Sequence, residues 1–209
     1  MIEVASSLPS WWSAWVLPIG AGVCLSAACG FRTFIPLLAV GLASHFGLFP
    51  IDTQYGWLAT TTGLVALGTA AVLEVGGYYV PVVDHALDVI ATPLAAAAGV
   101  LVMFTSIGSD HGLLGWLLAL LVGGGLSSAV QLTTVKTRVI STGTTAGLAN
   151  PLVATGELVG SAGLSALALL LPVVAVFVAV VLLVVLWRMT RWVRGRRGAH
   201  GADAADALG

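Results

Sequence analysis

Apolar residues fill this chain in six long blocks separated by short polar stretches, from about Trp15 to Phe46, Trp57 to Val80, Val82 to Ile107, Leu113 to Thr133, Pro151 to Leu171 and Pro172 to Trp187. A helix needs roughly 20 apolar residues to cross the hydrocarbon of a bilayer. The pattern predicts an all-α polytopic transmembrane bundle of about six spans. It divides the chain into an N-terminal interfacial segment (1–14), the bundle (15–193) and a basic, then flexible, cytoplasmic tail (194–209). The first block is too long for one simple span, so it is expected to be kinked or broken, with Gly30 and Pro36 as break points and Arg32 between them. The third carries Thr92-Pro93, where proline removes a backbone donor and disfavours helix at the preceding residue, so a second broken helix is expected there. Tyr78 and Tyr79, just before Pro81, suit a headgroup interface, and Gly123, Gly124 and Gly125 suit close helix approach. The sixth block, nearly all Val, Leu and Ala, suits a lipid-facing span.

Composition confirms the class: 58% hydrophobic and 8% charged residues compare with roughly 25% charged in a soluble domain. The spans leave no room for a soluble catalytic domain. Net charge is −1, and five of the eight basic residues lie between Arg188 and Arg197. That cluster follows an apolar run, which marks a cytoplasmic flank and not a nucleic-acid face. With the tail inside, six alternating spans put both termini in the cytoplasm, the 108–112 stretch outside and the Lys136/Arg138 stretch inside. A first block folded as a re-entrant hairpin would instead put the N-terminus outside. The start MIEVASSLPSWW has no basic n-region, so no cleaved secretory signal is expected. Cys24 and Cys29 point in different directions on a helix and are expected as small core residues.

Ionisable side chains inside such blocks are costly, about 2.5 to 3.5 kcal/mol each on insertion scales, and therefore mark candidate sites. Asp84 and Asp88 are four residues apart, which stacks their carboxylates on one helix face with His85 nearby; Asp84 and His85 equally suit a headgroup position. Glu157 lies about two turns inside a helix that starts at Pro151, between Gly156 and Gly160, whose small size suits close packing. Its alternative role is a structural hydrogen bond between helices. Arg32 stays charged and needs a carboxylate, carbonyls or a phosphate. Glu74, one turn from its helix end, is expected to reach the interface and be solvated. The stretch from Lys136 to Pro151 reads as a polar loop; Lys136, Arg138 and Asn150, a candidate helix cap, would offer an anion or lipid contact. Gly22 to Ala28 echoes Gly123 to Ala129, which suits either an internal repeat of the kind transporters use or a shared small-residue composition.

The motifs GFRTFIPLL (Gly30 to Leu38), DHALDVIATPLAAAAG (Asp84 to Gly99) and NPLVATGE (Asn150 to Glu157) together resemble an uncharacterised family of small bacterial multi-pass membrane proteins, defined only as a domain of unknown function. The resemblance implies a multi-pass inner-membrane protein. It brings no activity, substrate or cofactor with it.

No HExxH, paired-cysteine metal spacing, GxSxG elbow or GxxxxGK[ST] cradle occurs. An enzyme is therefore not expected, and neither a cofactor nor a metal is implied. The sequence favours a transporter or channel-like protein that moves a small polar or ionic solute through Arg32, Asp84, Asp88 and Glu157, with membrane lipids as neighbours and homo-oligomerisation open. A non-transporting lipid-binding or assembly protein is the alternative, and an intramembrane enzyme the third. The orientation is testable: a cysteine introduced at Ser109 should react with an impermeant maleimide from outside the cell and one at Ala199 should not. The reverse labelling would invert the bundle.

Overall fold

The computed structural model describes residues 9–108, 112–185 and 188, without the side chains at 81, 82, 84 and 85. The expected interfacial segment therefore lies mostly, and the tail wholly, outside the described residues. Among the described residues seven helices occur and no strand: α1 (Trp12–Phe31), α2 (Phe34–His45), α3 (Thr61–Gly77), α4 (Pro81–Ile107), α5 (Gly112–Thr145), α6 (Asn150–Leu170) and α7 (Pro172–Val185). A 3-10 turn, Thr53–Ala59, meets α3 at a 61° bend. By length and composition α1, α4 from Ala86 onward, α5 and α6 can each cross a membrane, and the bent pair would make a fifth span. The chain is a multi-pass membrane protein.

The centre of the bundle is α1. Every residue from Gly20 to Gly30 is buried, because small side chains let neighbours approach on all sides, as membrane helices require when apolar surface alone gives no preference over lipid. A Cβ at Gly30 would sit 2.5 Å from the Ser127 carbonyl oxygen of α5. Ser26 donates to the Gly99 carbonyl of α4 (3.1 Å), Ser161 of α6 donates to Ala28 (3.0 Å), and the Cys24 thiol donates to Ala175 of α7 (3.2 Å). Both cysteines are free and buried. The two echoing stretches meet at Gly99, which touches Ser26 and Ser127. A Cβ there would also lie 2.5 Å from the Gly123 carbonyl, so the α4–α5 crossing needs glycine. Along this crossing Leu118–Gly124 winds as a π-helix.

Chain direction follows from these pairings. In α1, Gly22 meets Met103 and Ser106 of α4 and Ser26 meets Gly99, so α1 and α4 run antiparallel. In α2, Phe34 meets Glu74 and Gly41 meets Leu58 and Leu64, so α2 opposes α3, which in turn opposes α4 through Gly77 and Leu87. Hence α1 and α2 are themselves antiparallel, and the chain doubles back at Arg32. The start of α7 lies beside the start of α1, through Gly20 and Val176, and its far end beside Phe31. The start of α1 and the end of α7 therefore lie at opposite ends of the bundle. With α2 only 12 residues long, this arrangement of the described helices matches the re-entrant alternative for the first block and not the alternation of six spans.

Three local expectations also change. The first break falls at Arg32, whose backbone is extended (φ −145°, ψ 122°), rather than at its flanks. Gly30 stays helical against Ser127, and Pro36 sits in the first turn of α2, where its missing N–H had no partner to lose. No break occurs at Thr92-Pro93: α4 runs through Pro93, which lies at the exposed side while Ala91, Ala95, Ala98 and Val102 hold both halves of the helix in line. Finally, the Lys136–Thr145 stretch is helix, not loop. Thr137, Thr144 and Thr145 return their hydroxyls to carbonyls one turn back, at 2.9, 2.9 and 2.7 Å, so these three hydroxyls are satisfied within α5. The helix stops where Ala146 (φ 52°) and Gly147 (φ 84°) turn left-handed.

The reversal at Arg32 has a direct readout. Cysteines at Ser10 and Leu48 should label from the same side of the membrane and one at Leu148 from the other, over the low background expected of buried Cys24 and Cys29. Labelling of Ser10 and Leu148 from one side would refute the re-entrant pair.

Candidate functional site

Where α1 turns into α2, side chains of α3, α4, α5 and α6 converge on Arg32 and on Tyr78, which follows α3. On α6 the buried positions Ala154, Glu157, Ser161, Ser165 and Ala168 repeat at three- and four-residue spacing and form the face toward α1. Gly156 and Gly160 lie off that face: Gly156 has open space around it and Gly160 meets only the edge of Phe31. The small-residue contact expected of them is made by Ala154 and Ser161 instead. On α5 the buried stripe is Gln131, Thr134, Arg138 and Ser141. It aims Arg138 at α4 and α6.

The centre is the Glu157 carboxylate. Its Oε2 accepts a hydrogen bond from Arg138 Nη2 and lies 3.3 Å from Arg32 Nη2. Arg32 Nη2 also donates to the Ala154 carbonyl at 2.9 Å, and Arg138 Nη1 to Asp88 Oδ1 at 2.9 Å. The Tyr78 ring takes both cations, with the guanidinium carbons of Arg32 and Arg138 4.0 and 3.8 Å from its centroid. Such contacts reach about 2 kcal/mol when desolvated. Arg32, Arg138 and Glu157 are almost wholly buried, while the Asp88 side chain keeps 14% of its surface exposed. Arg32 Nε and Nη1, Glu157 Oε1 and Ser141 Oγ are buried with no hydrogen-bond partner among the described atoms.

Beside this node Glu74 holds the helix break. Its Oε1 accepts from the Thr33 backbone N–H at 2.7 Å and its Oε2 from that of Phe34 at 3.1 Å. These amides open α2 and have no intrahelical acceptor, and a carboxylate there also meets the positive end of the helix dipole. Glu74 is buried, not solvated at the interface as its position near a helix end suggested.

Of the sequence-selected residues, Arg32, Asp88 and Glu157 come together. Asp84 lies with His85 outside the described side chains. Arg138 is an internal partner and not a lipid or anion contact, because α5 continues past it and turns it inward. Asn150 does not cap α6: it is the first helical residue, and its Nδ2 donates to Thr142 at 3.0 Å. Lys136 stands exposed on α5. Glu74, Tyr78 and the inward role of Arg138 were missed, although two signals existed. Glu74 and Tyr78 are four apart and share a helix face, and the Gln131-Thr134-Arg138-Ser141 spacing is a polar stripe that a loop would not need. Tyr78 is buried under the arginines, while Tyr79 is exposed and bonds Thr155 through its hydroxyl at 2.9 Å. Among the described residues no group of three or more His, Cys, Asp or Glu could hold a metal.

A family model described as Domain of unknown function (DUF4126) matches residues 19–192, most of the chain, and the protein belongs to that family. Neither a curated protein nor a solved structure matches.

The shared carboxylate oxygen predicts strong coupling. In a cycle of Glu157→Gln, Arg138→Gln and the double variant, each single change weakens the pairing of a buried charge that keeps one other partner, Asp88 for Arg138 and Arg32 for Glu157, so each should cost less than the about 3 to 5 kcal/mol of breaking an isolated buried pair. The double variant should cost less than their sum by about 0.5 to 3 kcal/mol, read from unfolding of the full chain in neutral detergent. Additive losses would refute the bond.

Proposed function

We propose that this member of the DUF4126 family is a membrane transport protein that moves a small polar or ionic solute, with Asp88 and Glu157 as the ionisable acceptors and Arg32 as their counter-charge. Arg138 and Tyr78 complete the group. The observation that carries the reading is unused polar capacity at a break in the chain: buried Arg32 Nε and Nη1 and Glu157 Oε1 lack partners among the described atoms, beside the extended residue that separates α1 from α2. A network serving only to lock helices gains most when every buried polar atom is satisfied, and broken helices near membrane charges are how repeat-built transporters form solute and ion sites. A proton or cation arriving at Glu157 would take the acceptor shared by Arg32 and Arg138. Arg138 would then rest on Asp88 and Arg32 on the Ala154 carbonyl, to which each already donates. The basic tail favours a cytoplasmic C-terminus in a bacterial inner membrane, and exposed Lys136 suits an anionic headgroup.

One observation favours a second reading, a non-transporting membrane protein. The ion pairs are closed, and only Asp88 keeps appreciable exposure. A packing lock has this form.

Flux separates the two. Full-length protein in liposomes should pass protons or sodium under an imposed potassium diffusion potential, followed with an entrapped pH dye and with sodium tracer. Asp88→Asn and Glu157→Gln should each lower that flux about tenfold or more while the proteins remain monodisperse in detergent. Absence of flux in the wild type, or variants that lose only their folded form, would favour the lock.

A further inference from the structure

A cleft of about 240 Å³ opens between α2, α3 and α4, one side chain away from the charge node. Its walls are Phe34, Ala70, Leu73, Leu87, Ile90, Ala91 and Leu94, and its polar end is Thr33, Glu74 and Tyr78. Leu73, Ile90 and Leu94 are also exposed on the outer surface, so the cleft opens on the flank of the bundle that faces lipid. Everything along it is apolar until Glu74, a carboxylate only 7% exposed. We propose that this cleft binds a small amphiphilic monocation, an ammonium group carried on an apolar body, with the ammonium against Glu74.

Charge, chemistry and size each favour that occupant. Around the break, three carboxylates (Glu74, Asp88 and Glu157) face two guanidiniums (Arg32 and Arg138). Among the described side chains one negative charge is in excess, and Arg138 and Arg32 are already engaged with Asp88 and Glu157. Glu74 has backbone amides as partners, one to each oxygen, and each oxygen of an ionised carboxylate has a further lone pair to offer. The Phe34 ring at the mouth supplies a π face that attracts a cation once water is excluded. An anion would meet Glu74 head-on, and a neutral apolar molecule would add nothing to the two amide hydrogen bonds that the carboxylate already accepts. The volume lies below the roughly 300 to 1,000 Å³ of pockets for drug-sized ligands. That accommodates a short-chain amine and excludes a whole diacyl lipid.

Binding in this cleft does not depend on the transport reading and is measured without flux. The probe is radiolabelled hexyltrimethylammonium, added to the full chain in a neutral maltoside detergent, with hexyl sulfate, 1-hexanol and phosphatidylethanolamine as competitors. One saturable site is expected, displaced by unlabelled hexyltrimethylammonium and not by the three competitors. Glu74→Gln should weaken it at least tenfold. Ala70→Trp fills the cleft from its wall without touching the carboxylate and should abolish binding while gel filtration and melting show a folded protein. It carries the test if Glu74→Gln fails to fold. Lack of saturable binding, full binding in folded Ala70→Trp, or equal displacement by the sulfate or the alcohol would overturn the proposal. Displacement by phosphatidylethanolamine would overturn it in favour of a lipid ammonium.

Discussion

The architecture depends on one oxygen. Glu157 Oε2 accepts from Arg138 and pairs with Arg32, and through those two cations the end of α1, the stripe of α5, the first turns of α4, the end of α3 and the face of α6 are drawn to one point. Five charged side chains at about 2.5 to 3.5 kcal/mol each would together rival the whole folding stability of a domain, about 5 to 15 kcal/mol. Convergence is therefore a condition of the fold and not an addition to it. The crossing of α1 with α4 and α5 brings these groups within reach, because Gly30, Gly99 and Gly123 let the backbones approach.

The reversal at Arg32 belongs to the same logic. A chain that stops a helix inside a membrane bundle exposes amides that water would otherwise satisfy, and irregular backbone is tolerated there only where protein supplies the partners. Glu74 supplies them to Thr33 and Phe34. The break thus positions Arg32 over Tyr78 and under Glu157, while α2 leaves in the opposite direction. Structure and candidate function share this geometry: the most irregular backbone of the bundle carries its most completely buried charge. A closed, paired network and a network with spare donors describe the same atoms, and they part only in whether the pairs exchange.

The membrane class, the helical content and the family were legible from composition, block length and three polar motifs, because hydrocarbon imposes the same requirement on every span wherever its neighbours lie. Arg32, Asp88 and Glu157 were legible as candidates for the same reason: charge within an apolar block is conspicuous whatever it touches. Other features depended on neighbours. Glu74 looked solvated because it lies near a helix end, and only α2, folded back beside α3, buries it. Arg138 looked like a loop cation because its hydroxyl-rich surroundings disfavour helix in isolation, yet those hydroxyls bond back onto α5 and turn the guanidinium inward.

What the sequence determined by itself was local and solvent-driven: which segments seek lipid, which residues cannot rest there unpaired, and where proline and glycine allow irregularity. What only the tertiary structure decided was partnership. Thr92-Pro93 allowed a break that packing on both sides of α4 suppressed, while Arg32, flanked by two better breakers, took the break because Glu74 was there to satisfy the amides it freed. The sign of a residue's contribution at membrane depth depends on the atom opposite it, and that atom, as Glu157 and its two arginines show, comes from helices far away in the chain.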